Sequence, residues 1–217
     1  MNDPTLHRTR IKLCGLSKVE DVQHAVALGA DAVGFVFYEK SPRYVVPAVA
    51  SRIIAELPPL VLPVGVFVNA GVASVRSIMD TCGLGMAQLH GDENASYCQE
   101  LSRPAMKALR LKDRGSLLAM AEYRGRGGVR GFVLDTFSEV AYGGTGQITD
   151  WSLAAEAAKS TPVLLAGGLT PDNVTEAIRT VHPYGVDVSS GVESAPGKKD
   201  HAKIRAFLNA VRVVSSS

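Results

Sequence analysis

Residues 163–192 read VLLAGGLTPDNVTEAIRTVHPYGVDVSSGV, and this stretch decides the fold. It opens on the apolar run Val163–Ala166 and breaks at Gly167-Gly168. Val174, Ala177, Ile178 and Val181 then recur at the three- and four-residue spacing of one helix face. A second β-favouring run, Val186–Ser189, follows and breaks at Ser190-Gly191. Two apolar runs joined by an amphipathic helix form a unit whose strands are covered on both faces and lie parallel.

The same alternation fills the rest of the chain. Further candidate strands are Arg10–Cys14, Ala32–Phe37, Pro63–Val68, Met86–Leu89, Ala105–Leu109 and Gly131–Asp135. Helical faces recur in Val72, Val75, Ile78, Met79 and Cys82, and in Ile204, Phe207, Leu208 and Val211. Ser17 with Glu20 matches a capping box, while Thr170 before Pro171 reads as N-cap and first helical residue. A helix within Asp113–Gly128 must end before the turn Gly125–Gly128. Eight βα units favour closure into a (β/α)8 TIM barrel over an open sheet. No G-x-G-x-x-G follows the first strand, as a dinucleotide-binding sheet would need. With no linker or shift in composition, residues 1–217 read as one domain. The barrel spans about 10–213, and Ser215–Ser217 form a frayed tail.

Composition narrows the function classes. The 217 residues are 46% hydrophobic, enough for a sizeable core, and the 20% charged fraction argues against disorder. A net charge of +2 is too small to imply a nucleic-acid partner, although a local cationic site for an anionic metabolite stays open. Three cysteines, Cys14, Cys82 and Cys98, make neither a disulfide framework nor a zinc site, which suits a reducing cytoplasm. The polar start Met1–Arg10 has no signal-peptide core. The most apolar stretch, Pro58–Val68, is short and carries three prolines, so no membrane partner is expected. No exposed apolar stripe announces an interface, and a monomer is expected.

In such a barrel the chemistry lies at the C-terminal strand ends, with phosphate often bound after the last two strands. Gly167 and Gly168 after the seventh strand, and Ser189, Ser190 and Gly191 after the eighth, offer backbone amides and hydroxyls to an oxyanion. Taken singly, such glycines would only make tight turns. Lys12 and Cys14 share the inward face of the first strand, because Ile11 and Leu13 belong against the helices. An ammonium beside a thiol favours the thiolate, so Cys14 can serve as base or nucleophile near neutral pH. Cys82 and Cys98, within helical patterns, read as small core residues.

Asp135 closes the sixth strand with Val133 on the inward face, and burial there would suit it to proton donation. His90 ends the fourth strand in phase with Gln88 and either binds substrate or completes a buried network. Arg43, on the Ser41-Pro42-Arg43 loop, can clamp a carboxylate with two hydrogen bonds or stand as a solvated charge. Asp187 either orients a substrate hydroxyl or amine, or satisfies backbone donors. His7, His24, His182 and His201 read as surface residues without special roles. No metal-ligand spacing is present, and Gly143-Gly144-Thr145-Gly146 lacks the Gly-Lys-Ser/Thr ending of a nucleotide loop. Ser138–Ile148 reads instead as a flexible loop able to close over a ligand.

The ordered set of strand ends resembles the phosphoribosylanthranilate isomerase family of tryptophan biosynthesis. The matching pieces begin with Lys12-Leu13-Cys14-Gly15, Gly34-Phe35-Val36-Phe37, Ser41-Pro42-Arg43, Gly65-Val66-Phe67-Val68-Asn69 and Gln88-Leu89-His90-Gly91. Leu134-Asp135-Thr136, Gly143–Gly146, Ala166–Leu169 and Gly185–Glu193 complete the set. The resemblance implies an Amadori rearrangement of N-(5-phosphoribosyl)anthranilate, without a cofactor. It implies Asp135 as general acid, Cys14 as general base, and Arg43 at the anthranilate carboxylate. Gly167, Gly168, Ser190 and Gly191 would hold the phosphate. Two other readings compete. A histidine-pathway aminoaldose isomerase would carry Asp where this chain has Cys14 and would need a second phosphate site. A non-catalytic sugar-phosphate-binding barrel would tolerate loss of Cys14 or Asp135.

Overall fold

The computed structural model describes residues 8–124, 128–136 and 151–215. Eight parallel strands form a closed barrel in sequence order. They are β1 (Arg10–Leu13), β2 (Ala32–Val36), β3 (Leu62–Phe67), β4 (Met86–Leu89), β5 (Ala105–Leu111), β6 (Val129–Thr136), β7 (Val163–Ala166) and β8 (Gly185–Val188). Between and after them run α1 (Val19–Ala27), α2 (Pro47–Ala55), α3 (Val72–Cys82), α4 (Ala95–Leu101), α5 (Arg114–Tyr123), α6 (Trp151–Ala158), α7 (Val174–Val181) and α8 (His201–Ser215). The seam closes between β1 and β8, in register from Arg10 opposite Gly185 to Leu13 opposite Val188. Every expected strand is present, with ends displaced by at most two residues.

Side-chain alternation divides the core into two zones. Ile11, Leu13, Phe35, Phe67, Leu89, Phe132 and Leu165 pack outward against the buried helix faces. Those faces include the expected Val174, Ala177, Ile178 and Val181 of α7 and Ile204, Phe207, Leu208 and Val211 of α8. Inside the barrel, Val64, Met106, Ala108, Val133, Leu164 and Ala166 fill one zone. Cys14, Val36 and Val66 form a smaller cluster of their own. Cys82 and Cys98 are buried on α3 and α4, as their patterns imply.

Two helix starts differ from expectation. Lys18, without a side-chain cap, is the N-cap of α1, so Ser17 and Glu20 form no capping box. Thr170 and Pro171 do not open α7 either. The amide of Thr170 donates to Asn173 Oδ1 and its carbonyl accepts from Asn173 and Val174, making a turn that delays the helix to Val174. A competing side-chain turn of this kind is a common rival to a helix start at Asn. A small antiparallel hairpin, β9 (Glu193–Ala195) and β10 (Lys198–Lys199), was not foreseen. His24 and His201 also do more than expected: their rings stack at 4.1 Å, and Asp21 lies 2.9 Å from His201 Nε2, fastening α8 to α1. The Ser138–Ile148 loop with Gly143–Gly146, most of the Gly125–Gly128 turn, His7 and the last two residues of the tail lie outside the described residues. Among the described residues no helix is long and apolar enough to cross a membrane.

Candidate active site

Cys14 is the first residue beyond β1, pinned by its amide to Val188 O at 2.9 Å. The next amide, of Gly15, donates to Gly34 O at 2.9 Å. Gly34 also makes room for the thiol, since a Cβ there would lie 2.8 Å from Cys14 Sγ. Two residues below, fully buried Lys12 meets Asp187 across the closing seam, with Nζ 2.7 Å from Oδ2. Asp187 Oδ1, equally buried, has no hydrogen-bond partner among the described residues. Burial opposes the Lys12 charge, but Asp187 and Cys14 beside it outweigh that cost and hold its pKa above the ordinary lysine value. Burial pushes the Cys14 thiol up, against the pull of Lys12 and Lys199. The ammonium expected beside the thiol is there, but Asp187 engages it and desolvation outweighs its pull.

On the other side of the mouth, Asp135 from β6 is half-buried, its Oδ2 3.5 Å from His90 Nε2. Gln88 Nε2 lies 3.0 Å from His90 Nδ1, which turns Nε2 toward Asp135. His90 thus joins a part-exposed polar network with Gln88 and Asp135 at the barrel mouth.

Arg43 is reached by a tight loop after β2, in which Ser41 Oγ accepts from the Arg43 amide at 3.1 Å and Tyr44 bridges back to Val36. Its guanidinium is part-buried and ion-paired. Nε and Nη2 donate to Glu193 Oε1 and Oε2 at 2.8 and 2.7 Å. Lys199, buried on β10, donates to Glu193 Oε1 at 2.7 Å and to Ser189 O at 3.0 Å. The bonds from Arg43 and Lys199 overcome burial and hold the Glu193 carboxyl below the usual range, while burial lowers Lys199. Ser189 spends its hydroxyl on Cys14 O at 3.1 Å, which ties the ends of β8 and β1 together.

Gly167 and Gly168, at φ 83° and 64°, follow β7 in backbone conformations that favour glycine. Ser190–Val192 make one 3₁₀ turn after β8, and a Cβ on Gly191 would meet Leu169 O at 1.8 Å. The two glycine-containing turns therefore touch, as neighbouring strands β7 and β8 require. Sequence reasoning missed Glu193 and Lys199 as site residues. The Pro196-Gly197 pair was the available signal, because it marks a turn able to fold both charges back onto the strand ends.

A parallel eight-stranded barrel with a thiol, an acid–histidine pair and an arginine clamp at its strand ends defines a barrel enzyme of acid–base chemistry. Comparison with known proteins narrows the class. The chain belongs to the family described as N-(5'-phosphoribosyl)anthranilate (PRA) isomerase, whose profile matches residues 11–210. The isomerase of Geotalea uraniireducens (strain Rf4) is 54% identical over 200 residues, covering 92% of this chain and 97% of that protein. That of Pseudomonas fluorescens (strain Pf0-1) is 52% identical over 204 residues, covering 94% and 98%. The crystal structure of the Thermotoga maritima enzyme matches with a TM-score of 0.88 at 41% identity, over 94% of this chain and 99% of that one. Another phosphoribosyl anthranilate isomerase structure, in complex with reduced 1-(o-carboxyphenylamino)-1-deoxyribulose 5-phosphate, matches with a TM-score of 0.84 at 39% identity, over 94% and 99%.

Proposed function

We propose that the chain converts N-(5-phosphoribosyl)anthranilate into 1-(2-carboxyphenylamino)-1-deoxyribulose 5-phosphate by Amadori rearrangement, a step of tryptophan biosynthesis. The observation that carries this reading is the order of strand ends around the mouth. Asp135 on β6 and Cys14 beyond β1 are separated by β7 and β8, whose ends carry the phosphate-binding candidates. A ribose held there by its phosphate lies between an acid and a base.

In this reading Asp135 protonates the furanose oxygen, and the ring opens to a Schiff base while His90 borders the carboxyl. Cys14 then removes the C2′ proton as its thiolate, becoming the neutral thiol and giving an enolamine that tautomerises to the ketose. Asp135 gives the substrate one proton and Cys14 takes one from it, so the product is an isomer, the reaction is redox-neutral overall and it asks for no cofactor. Asp187 Oδ1, buried and unpartnered among the described residues, suits the substrate's amine N–H. Arg43 faces the anthranilate carboxylate; backbone amides of Gly167, Gly168, Ser190 and Gly191 take the phosphate. Ser189 enters as a brace for Cys14 rather than as a phosphate donor, because its hydroxyl is engaged. Three free, buried thiols suit a cytoplasmic protein. We take the chain to act as a monomer on a small molecule, with no nucleic-acid or membrane partner.

Cys14→Ser and Asp135→Asn test the acid–base assignment. Each should lose about 10²–10⁴-fold in turnover, followed by the loss of substrate fluorescence, with unchanged circular dichroism. Near-wild-type turnover in either folded variant would remove that residue from the mechanism.

A further inference from the structure

The most elaborate polar cluster outside the acid and base is centred on Glu193. This carboxylate accepts four hydrogen bonds: Oε1 from Arg43 Nε and Lys199 Nζ, Oε2 from Arg43 Nη2 and the Gly197 amide. A guanidinium has five N–H donors in a fixed plane, and Glu193 takes its side-on pair. Among the described residues the end-on pair, one N–H each from Nη1 and Nη2, has no partner, which leaves it for a second carboxylate. The Arg43 stem is held too, since a Cβ on Gly15 would lie 2.5 Å from Arg43 Cδ. The hairpin that bears Glu193 leans on the same loop: a Cβ on Gly197 would lie 2.5 Å from Pro42 O.

We infer that Glu193 is the positioning residue of the Arg43 clamp, fixing the guanidinium so that the substrate carboxylate can dock only end-on. Lys199 balances the carboxylate's charge, so the cluster of two cations and one anion keeps one net positive charge for an anionic ring. Through Ser189, which Lys199 and the Cys14 carbonyl share, the clamp is built on the same strand ends as the base. The hairpin β9–β10 is thus a specificity element, selecting an aryl amine with a carboxylate beside the nitrogen. This inference rests on the reading of Arg43 as the group that meets that carboxylate.

Glu193→Gln gives a test in which the sign decides. Removing a negative charge beside a cation that binds an anion would, through electrostatics alone, tighten substrate binding and lower KM. Loss of positioning does the reverse, and KM should rise about ten- to a hundredfold, as a misplaced contact group costs. Because Glu193 bonds to neither Cys14 nor Asp135, kcat should stay within about threefold. In an Arg43→Ala background the same substitution should add no more than about twofold, since residues acting through one another are non-additive. An unchanged or lowered KM, a loss confined to kcat, or additive losses would overturn the inference. If Glu193→Gln does not fold, Glu193→Asp keeps the charge but withdraws it by one methylene, and a wild-type KM there overturns the inference equally. Arg43→Ala alone separates the two claims: if its KM is unchanged, the reading of the clamp fails, whereas a raised KM with an unaffected Glu193→Gln sinks only the positioning role.

Discussion

Burial raises the Cys14 thiol while the Lys12 and Lys199 ammonium groups lower it and Asp187 raises it again. Desolvation disfavours the charged thiolate, so in the ligand-free protein the thiol form persists beyond the ordinary cysteine range. A pH titration of thiolate absorbance, wild type minus Cys14→Ser, should have its midpoint above that range. Lys12→Met removes a lowering charge and should move the midpoint further up, whereas Asp187→Asn removes a raising charge and should move it down. Shifts of the opposite sign would mean that the Lys12–Asp187 pair does not govern the base. The inward pairing of Lys12 with Cys14 was legible from strand alternation alone. The partner across the seam was not, because 175 residues separate Lys12 from Asp187.

At the scale of elements, the loop after β4 that carries His90 is bracketed from below. Lys107 on β5 donates to Leu89 O at 3.2 Å and to Glu93 Oε2 at 2.9 Å, and Glu93 accepts the amides of Asn69 and Gly91. The pair is almost sealed, with side chains 2% and 1% exposed, whereas Arg103 and Asp80 pair at 41% and 62%. Lys107→Met strands a buried carboxylate and should cost about 3–5 kcal/mol in urea unfolding. Arg103→Met should cost no more than about 1 kcal/mol, because an exposed pair is screened by water. Equal costs would mean that the buried bracket contributes nothing special. Nothing in the run Ala105–Leu109 hinted at this, since Lys107 falls on the outward phase, where an apolar residue belongs.

For the whole molecule, closure between β1 and β8 leaves the barrel no open strand edge, and the helices cover its outer face. Among the described residues the large apolar side chains left exposed are Val46, Leu60, Leu62, Leu118, Tyr184 and Val213, and only Leu60 and Leu62 share a segment. Small scattered patches do not make a stable interface. Light scattering should therefore give the mass of one chain, and a mass of two chains would refute the monomer.

The barrel, the order of its strands and most of the residues at its mouth were legible in the order of amino acids. Those features are local: apolar period, strand phase and glycine position are written within a few residues of each other. Cys14, Asp135 and His90 could be placed at strand ends from phase alone, and each lies there, whereas Arg43 sits on the loop after β2 and Asp187 within β8. The two misplaced helix starts show where local signals compete: Asn173 closes a turn on Thr170 that Pro171 alone does not reveal. Which charges meet is a property of the folded chain. Arg43 is joined to Glu193 across 150 residues and Cys14 to Ser189 across 175. Such pairings depend on barrel closure and on a hairpin folding back over the mouth. They also set the charge state of the site, because burial and partner together, not residue type, fix a pKa.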